Sequence, residues 1–562
     1  MKISYKNEIN DLIKFCEEKQ IFQPTLWEKF TDVYKLKFDE ADNGWRSEYF
    51  GKTMRGACSI YKVSPSDKLY EALYSAVKNF LTAQDEKGRF TSYVDEFKGW
   101  DVWGRKYVIS SLLEFYVICK DVDFKNEVLS AVKKHADYII EKIGDKEGQI
   151  GILRTSDAWG GLNSASIAET FIHLYVITKE SKYLGFAEYV ISTGGCIYGN
   201  LVETARENKL APHDYPVNKA YETISFFESL LDYYSVTKKQ EYLNIFTNFI
   251  ERVRDSEITV IGCAGCTDEL FDNSYVKQTE PSETYMQETC VAVTWMRVLS
   301  KYYSVTKKSW CLNEIEKSFL NDYLGAVNDK ENRGFSYFDK EYVEVLPFDS
   351  YSPLYKSRRG IAVGGFKNLP GGGHYGCCVA ISASGLSAYL ENAVKKENDG
   401  SISVNYIIPL TLNDGETTVT VSGACYKDER ATVTVSAKPV NLNLRTSGVS
   451  EVFVNGEKAS AIGEYLKLSG FIGKITVVFD RSIKAVMLNG KICYKSGALV
   501  LAQDEAIAPI RPVTDKIDSV EYLPDEYAFI RVKINGIDFI DYAHAGKVWN
   551  EKNITVWNDK RS

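Results

Sequence analysis

The sequence predicts a multidomain α+β protein: an (α/α)6 toroid over residues 1–397, an antiparallel β-sandwich over 398–514, and C-terminal β-strands over 515–562 that pack on the sandwich or the toroid. Three observations predict this fold class. A helix–turn–helix phrase recurs through the first part of the chain. After about residue 398 the sequence changes to short alternating β-branched runs. A chain of 562 residues is too long for one compact core.

The recurring phrase carries an aligned tyrosine followed by a short polar turn. Each copy closes one apolar stretch of helical period and opens another, so each unit is a helix, a turn and an antiparallel helix. Five pairs give ten helices, and two further candidates at 6–18 and 379–391 make the twelve that close an (α/α)6 toroid. The copies are SIYKVSPSDKLY (59–70), EFYVICKDVDF (114–124), HLYVITKESKYL (173–184), DYYSVTKKQEYL (232–243) and KYYSVTKKSWCL (301–312).

The region after residue 398 is rich in short strands. Runs such as TTVTVSG, ATVTVSA and KITVVFD alternate along the chain or are β-branched, and turn residues separate them, which predicts an antiparallel sandwich. The tail repeats this pattern in AFIRVKING and NITVWND. The tail therefore supplies further strands.

Charge and hydropathy limit the classes of partner. The net charge of −8 and the pI near 5.5 argue against nucleic acid and anionic membranes, because the sequence contains no basic stripe. No apolar run is long enough for a membrane span and the first residues do not resemble a signal peptide. We expect a cytoplasmic protein with reduced thiols that acts on a small carbohydrate, and a homodimer is left open.

A glutamate and three cysteines at two predicted helix starts form a candidate metal site. Glu288 and Cys290 lie in QETC at the start of one helix, and Cys377 and Cys378 follow Gly371–Gly373 before another. Residues two apart are about 200° apart around an ideal helix, so Glu288 and Cys290 can share a ligand only where the chain enters the helix. One carboxylate and three thiolates suit Zn²⁺ in charge and softness.

Two alternatives stay open for these cysteines. Cys263 and Cys266 of GCAGC could join Cys377 and Cys378 in a purely structural Cys₄ site. All of them could instead be ordinary buried thiols, as we expect of the singly placed cysteines. Those are Cys16, Cys58, Cys119, Cys196, Cys311, Cys425 and Cys493.

Cys377 is the candidate nucleophile, because both zinc ligation and a helix N-terminus favour the thiolate. Attack on a sugar carbon also requires a proton donor for the leaving oxygen. Glu269, in the loop CTDELFDN, is one candidate donor. The other acidic candidates near the cysteines are Asp268, Asp272 and Glu283.

The loops between helix pairs supply the candidate substrate contacts. Trp103 and Trp159 neighbour glycines in GWDVWGRK and SDAWGGLN, where a flat ring can stack on a sugar. His374 lies three residues before Cys377 and can orient the substrate. Arg105 is a candidate contact for an acidic sugar. Ordinary packing or ion pairing is the alternative for each residue.

At these residues the sequence resembles glycoside hydrolase family 127, the β-L-arabinofuranosidase type. The resemblance covers nearly the whole chain and is most specific in the Glu-x-Cys and Cys-Cys pairs. It is carried by WRSEYFGKTMRGACSIY, GWDVWGRKYVISSLLEFY, CTDELFDNS, QETCVAVTWM, GCCVA and GALVLAQDE.

The resemblance implies a retaining hydrolase with an (α/α)6 catalytic barrel and β-sandwich modules. It implies that Zn²⁺ is held by Glu288, Cys290, Cys377 and Cys378, that Cys377 is the nucleophile, and that Glu269 is the general acid/base. We therefore expect an exo-glycosidase for a β-L-arabinofuranoside-like or related plant-derived sugar. Another toroid chemistry, epimerase or lyase, and a carbohydrate-binding protein with a structural zinc are the alternatives.

Two departures from the family pattern concern the substrate. The family usually has CCPxN after the cysteine pair, where this chain has CCVAI. The family also presents sugar-contacting histidines where this chain has Ser166 and Lys219. Lys219, like Arg105 and Arg55, could suit an acidic sugar, so the sequence leaves the sugar open.

Overall fold

The computed structural model describes a helical region followed by a strand-rich region. The described residues are 2–281, 287–330, 332–336, 341–344, 348, 352–360, 365–424, 426–459, 463–549 and 551–561. Two residues singled out from the sequence, Glu283 and Cys425, lie outside them.

The helices alternate between an inner and an outer layer. Short 3₁₀ and π turns join or extend several of them. The α-helices are α1 (Asn7–Cys16), α2 (Pro24–Lys35), α3 (Ser47–Val63), α4 (Asp67–Leu81), α5 (Asp101–Ile118), α6 (Val122–Lys142), α7 (Leu162–Ala165), α8 (Ala168–Thr178), α9 (Ser181–Ser192), α10 (Leu201–Glu207), α11 (Ala220–Thr237), α12 (Gln240–Ser256), α13 (Ser274–Lys277), α14 (Thr289–Thr306), α15 (Trp310–Ser318), α16 (Leu324–Ala326) and α17 (Cys377–Ala393).

Helices α3, α5, α8, α11, α14 and α17 form a closed inner ring in which each contacts the next and α17 returns to α3. Their side chains are buried on nearly all sides, whereas outer helices such as α4 and α12 bury one apolar stripe. The predicted toroid is therefore confirmed. Helix α2 was not predicted, and it packs against α3 and α4 on the outside of the ring.

The recurring phrase marks the C-terminal ends of inner helices. Lys179, Lys238 and Lys307 follow α8, α11 and α14 in the left-handed conformation. The N–H of each lysine donates to the carbonyl oxygen of the aligned tyrosine, over 2.8 Å in all three cases. These bonds satisfy carbonyls that would otherwise be unpaired at the end of a helix, which gives a physical reason for the phrase in these three copies.

The first β-sheet contains the segment that begins the chain. The strand Lys2–Tyr5 pairs antiparallel with Leu410–Asn413, so a strand from the region predicted as toroid belongs to the sheet that follows it. The pairing is antiparallel except that Ile402–Val404 runs parallel to part of the longest strand. The other strands are Val394–Lys396, Thr417–Ser422, Arg430–Arg445, Val449–Val454, Glu457–Lys458 and Tyr465–Phe479.

The second β-sheet crosses the predicted boundary at residue 514. Its strands are Ile483–Leu488, Lys491–Ser496, Leu499–Asp504, Val520–Tyr522, Arg531–Ile534, Ile537–Asp541, Ile554–Thr555 and Asn558–Asp559. Leu501 pairs with Asp541 and Lys491 with Asp559, so the tail is hydrogen-bonded into this sheet. Strand pairing thus divides the strand-rich region near residue 481, where the sequence pattern showed no boundary.

Two-residue strands at 195–196 and 199–200 form a hairpin of their own, and two further hairpins pair Arg333–Ser336 with Glu341–Glu344 and Phe366–Asn368 with His374–Gly376. Buried side chains of the toroid and of the first sheet belong to one continuous hydrophobic core. None of the described helices combines the length and the apolarity that crossing a membrane requires.

Candidate active site

A cavity of about 370 Å³ lies at the N-terminal ends of the inner helices. Helices α3, α5, α11, α14 and α17 all contribute to it from their first turns or N-caps. Because a helix N-terminus carries a partial positive charge, this arrangement favours anionic groups in the cavity wall. The lining residues are Trp45, Glu48, Lys52, Trp100, Trp103, Trp159, Lys219, Tyr221, Glu222, Asp268, Glu269, Glu288, Gly365 and Cys377.

The four predicted metal ligands come together at one side of this cavity. Glu288 is the N-cap of α14 and Cys290 is the second residue of that helix, whereas Cys377 and Cys378 begin α17. One ligand atom from each of the four side chains lies within 4.8 Å of every other, and all four residues are buried. The helix entries bring the carboxylate and the thiols together, as the sequence predicts.

The glycines before the cysteine pair form a sharp turn. Gly371, Gly372 and Gly373 all have positive φ, between 74° and 91°, and the N–H of Leu369 donates to the carbonyl oxygen of Gly373 over 2.8 Å. This turn closes the hairpin whose second strand, His374–Gly376, leads directly into α17. The hairpin therefore sets the direction in which both thiols enter the cluster.

The spacing of the donor atoms fits a tetrahedral zinc site. Cys377 Sγ and Cys378 Sγ are 3.9 Å apart, and Glu288 Oε1 lies 3.6 Å from the first and 3.7 Å from the second. In a tetrahedral site with Zn–S and Zn–O bonds of ordinary length, two sulfur ligands lie about 3.8 Å apart, and a sulfur and an oxygen ligand lie about 3.6 Å apart. Glu288 Oε2 is buried without a hydrogen-bond partner in the described residues. The residues present therefore suit Zn²⁺.

The four groups differ in how readily they ionise. Burial raises the pKa of Glu288, Cys290 and Cys378. Hydrogen bonds from the thiols of Cys290 and Cys378 lower the pKa of Cys377 well below its ordinary value. Of the four groups, Cys377 is the one whose pKa is lowered, which favours its thiolate form. It also lines the cavity, whereas Cys290 and Cys378 do not.

The rival Cys₄ arrangement is wrong. The Cys263 thiol donates to the main-chain carbonyl oxygen of Glu288 over 3.3 Å, and Gln287 Nε2 donates to Cys266 Sγ over 3.5 Å. Neither sulfur belongs to the ligand cluster in the described part of the chain. The GCAGC loop instead positions the segment that carries Glu288.

Sequence reasoning missed a buried pair that adjoins the cluster. Lys52 Nζ lies 2.9 Å from Glu48 Oε1 and 3.8 Å from Cys290 Sγ, over the ring of Tyr221. The indole N–H of Trp103 donates to the other oxygen of Glu48. Burial raises the pKa of Glu48 to about 7 despite the lysine. The i, i+4 spacing in SEYFGK could have indicated the pair.

The predicted acid/base, Glu269, lines the cavity and forms an ion pair with the ammonium of Lys219. Its backbone has a positive φ of 62°. Asp268, which also lines the cavity, has a positive φ of 48°. Asp272 accepts hydrogen bonds from Ser274 and the Cys266 N–H and is not among the described residues that line the cavity. Glu269 and Asp268 are the remaining described candidates from that loop.

Aromatic rings form much of the cavity wall. Trp103 and Trp159 line it as predicted, together with Trp45 and Trp100. Trp103 is fully buried, whereas Trp159 is 38% exposed. Trp159 lies in a short turn in which both it and Gly160 have left-handed backbone conformations. Trp159 is therefore the more accessible ring at the mouth.

Two predicted substrate contacts do not line the cavity. The guanidinium of Arg105 is fully buried and pairs with Glu96 over 2.6 Å and Asp101 over 3.0 Å, so this geometry does not support its predicted contact with a sugar. His374 lies partly buried in the hairpin strand, opposite Asn368, and is not in the cavity wall either. Its predicted contact with a sugar is not supported by this geometry.

A second group of potential ligands, Glu169, His173 and Asp232, lies inside the ring. Lys301 occupies its centre, with Nζ 2.8 Å from Asp232 and 3.4 Å from Glu169. Arg55 also faces Glu169, at 3.9 Å, rather than the cavity. An ammonium group thus takes the place that a metal ion would require, and the prediction that Arg55 contacts an acidic sugar has no support.

Comparisons with known proteins agree with this architecture. The family model described as "Beta-L-arabinofuranosidase, GH127 catalytic domain" matches residues 10–340, more than half of the chain. No curated protein sequence matches. Cys377 and Cys378 lie beyond the matched segment.

Solved structures are similar over the whole chain. A GH127 β-L-arabinofuranosidase from Geobacillus stearothermophilus T6 is 15% identical with a TM-score of 0.74, covering 100% of both chains. A second GH127 β-arabinofuranosidase is 14% identical with a TM-score of 0.77, covering 100% of this chain and 97% of its own. At these identities the likeness shows the fold, and it includes the strand-rich region.

Proposed function

Because the chain belongs to the GH127 β-L-arabinofuranosidase family and is a glycoside hydrolase, we propose that it is a retaining exo-glycosidase for a β-L-arabinofuranoside-like or related plant-derived sugar. In this proposal Cys377 is the nucleophile and Glu269 the acid/base. Glu288, Cys290, Cys377 and Cys378 would hold Zn²⁺, which when bound would keep the thiols ionised and make the Cys377 thiolate a better leaving group.

The observation that carries the proposal is that Cys377 is part of both the four-residue cluster and the cavity wall. Its sulfur belongs to the four-ligand cluster, and the residue also lines the cavity beside Glu269 and Trp159. The lowered pKa of Cys377 supplies the nucleophilic form of the thiol. A purely structural metal site would not need a ligand in the wall of a cavity.

The proposed reaction has two steps. In the first, Cys377 Sγ bonds to the anomeric carbon, the bond from that carbon to the leaving oxygen breaks, and the leaving oxygen takes a proton from Glu269. In the second, Glu269 takes a proton from water, the water oxygen bonds to the anomeric carbon, and the carbon–sulfur bond breaks to restore the thiolate. Two inversions retain the configuration.

The test is hydrolysis of 4-nitrophenyl glycosides, including the β-L-arabinofuranoside, by zinc-loaded protein. We expect release of a β-configured sugar by NMR and about one zinc per chain. Cys377→Ser should lower kcat by at least about 10³-fold. Cys311→Ala, a buried thiol outside the ligand cluster, serves as the control.

Three outcomes would contradict the proposal. Full activity of Cys377→Ser would exclude the assigned nucleophile. Zinc well below one per chain would exclude the four-ligand site. Bound zinc and bound sugar without hydrolysis of any glycoside would favour a carbohydrate-binding protein.

A further inference from the structure

Glu222 is a buried carboxyl group that the proposed reaction does not use. It lies in the first turn of α11, three residues after Lys219, and lines the cavity. Only 3% of the residue is exposed, and Oε2 has no hydrogen-bond partner in the described part of the chain. Buried carboxylates in native proteins nearly always have donors, because an unpaired one costs several kcal/mol.

The cations of the cavity wall are already engaged elsewhere. Of the described residues that line the cavity, Lys52 pairs with Glu48 and Lys219 pairs with Glu269. Attraction to Lys219 therefore offsets only part of the cost of burying the Glu222 carboxylate, and the pKa of Glu222 is raised. Within the described residues, Glu222 Oε2 thus has no bonded donor, and it lies at a surface where a ligand would bind.

We propose that Glu222 determines specificity for the sugar, by exchanging a hydrogen bond with one hydroxyl group of the ring bound in the cavity. The inference rests on the proposed function in taking a sugar as the ligand. A site that leaves a buried polar group unpaired when the ligand lacks the matching hydroxyl discriminates strongly against that ligand. Glu222 would therefore reject deoxy sugars and select the arrangement of hydroxyls.

The charges in the cavity wall point to a neutral sugar. Five carboxyl groups face two lysines in the lining: Glu48, Glu222, Asp268, Glu269 and Glu288 against Lys52 and Lys219. A uronic acid or a sugar phosphate would place a second negative charge near Glu222, while both lining lysines already pair with carboxylates. This reverses the suggestion from the sequence that Lys219 suits an acidic sugar.

A thermodynamic cycle between the carboxyl group and the sugar hydroxyls tests the proposal. The substrates are 4-nitrophenyl β-L-arabinofuranoside and its 2-, 3- and 5-deoxy analogues, and the variant is Glu222→Met, which keeps length but removes both oxygens. One analogue should lose roughly 10- to 100-fold more kcat/KM than the others with the wild-type protein, and this extra loss should vanish in the variant. Glu222→Gln should keep most of the discrimination.

Glu228→Gln is the matched control. Glu228 lies on the same helix but pairs with Arg297 and Lys301 inside the ring. The Glu228→Gln variant should change the melting temperature and leave the losses of kcat/KM with the deoxy analogues unchanged. If Glu222→Met does not fold, Glu222→Ala takes its place in the cycle.

Calorimetric binding of L-arabinose and its deoxy derivatives separates this inference from the proposed function. If the Glu222→Met substitution and the loss of one hydroxyl group have coupled effects on binding but no glycoside is hydrolysed, the proposed activity is wrong and the role of Glu222 is supported. If glycosides are hydrolysed but wild type and Glu222→Met show the same losses of kcat/KM with the deoxy analogues, only the role of Glu222 is overturned. Absence of both hydrolysis and binding would overturn both.

Discussion

The main-chain N–H of Cys377 donates to the carbonyl oxygen of Gly365 over 3.1 Å, and a Cβ atom at Gly365 would overlap the Cys377 sulfur. Gly365 has a φ of +68°, and the hydroxyl group of Tyr49 donates to the same carbonyl oxygen over 3.0 Å. Gly365 thus limits where the sulfur can lie, and no other residue type fits at this position.

Gly365→Ala should displace the Cys377 sulfur and abolish most activity. We expect kcat to fall by at least about 100-fold, because a misplacement of about 1 Å has that effect on a reacting atom. Gly372→Ala is the control, since Gly372 also has a positive φ but no atom lies within 4 Å of the position that an added methyl group would take. Equal activity losses in both variants would show that backbone strain, rather than the clash, is responsible.

The raised pKa of Glu48 should make the stability of chelator-treated protein depend on pH. The folded protein binds this proton up to about pH 7, and the unfolded chain only up to about 4.5. The associated stability is present below about pH 4.5 and lost as the pH rises through 7, to a total of about 3 kcal/mol. Glu48→Gln should remove this slope.

Urea unfolding at a series of pH values from 4.5 to 8 measures that slope. The exposed Glu86→Gln variant should follow the wild-type profile. Parallel profiles for Glu48→Gln and wild type would contradict the assigned pKa.

Lys219→Met should uncouple Glu269 from its cationic partner. The side chain of Lys219 is buried, so the variant leaves Glu269 without the ammonium group that now holds it. We expect kcat/KM to fall by roughly 10- to 100-fold and its pH profile to move, because removing one partner of a buried charge pair alters the other. Steady-state kinetics across pH measure both effects.

Lys238→Met, just past the C-terminal end of the same helix, is the control for Lys219→Met. It should keep the wild-type pH profile. An unchanged profile for Lys219→Met would exclude a role of this ion pair in the reaction.

Trp159→Ala should weaken substrate binding without removing zinc. The ring is partly exposed at the mouth of the cavity, so it can cover one face of a bound sugar or aryl group. Loss of this apolar contact should raise KM roughly tenfold. Trp159→Phe should restore most of the affinity, and equal KM values for both variants and wild type would exclude stacking.

The toroid and the clustering of Glu288, Cys290, Cys377 and Cys378 could be predicted because both leave local signals. Five copies of one phrase mark the helix pairs, and the positions of Glu288 and Cys377 follow from where two helices start. A helix entry fixes the direction of the next few side chains whatever the distant packing.

The remaining contacts depend on distant parts of the chain. Arg105 and Lys219 look alike in the sequence, yet one is buried in ion pairs beside Glu96 and the other lies in the cavity wall. Only the relative rotation of the inner helices decides between these outcomes. Glu222 was missed because an unpaired carboxyl oxygen can be recognised only when its surroundings are known.

The pairing of Lys2–Tyr5 with Leu410–Asn413 joins a segment that precedes the ring to the sheet that follows it. The buried hydroxyl group of Tyr5 also donates to the carbonyl oxygen of Leu390, in the last inner helix. Contacts between segments about 400 residues apart are slow to form, because closing the loop costs entropy before the new contacts stabilise the closed chain. Cutting the gene between ring and sheet would separate Lys2–Tyr5 from Leu410–Asn413 and leave an unpaired strand edge on the sheet, so catalysis should not survive the division.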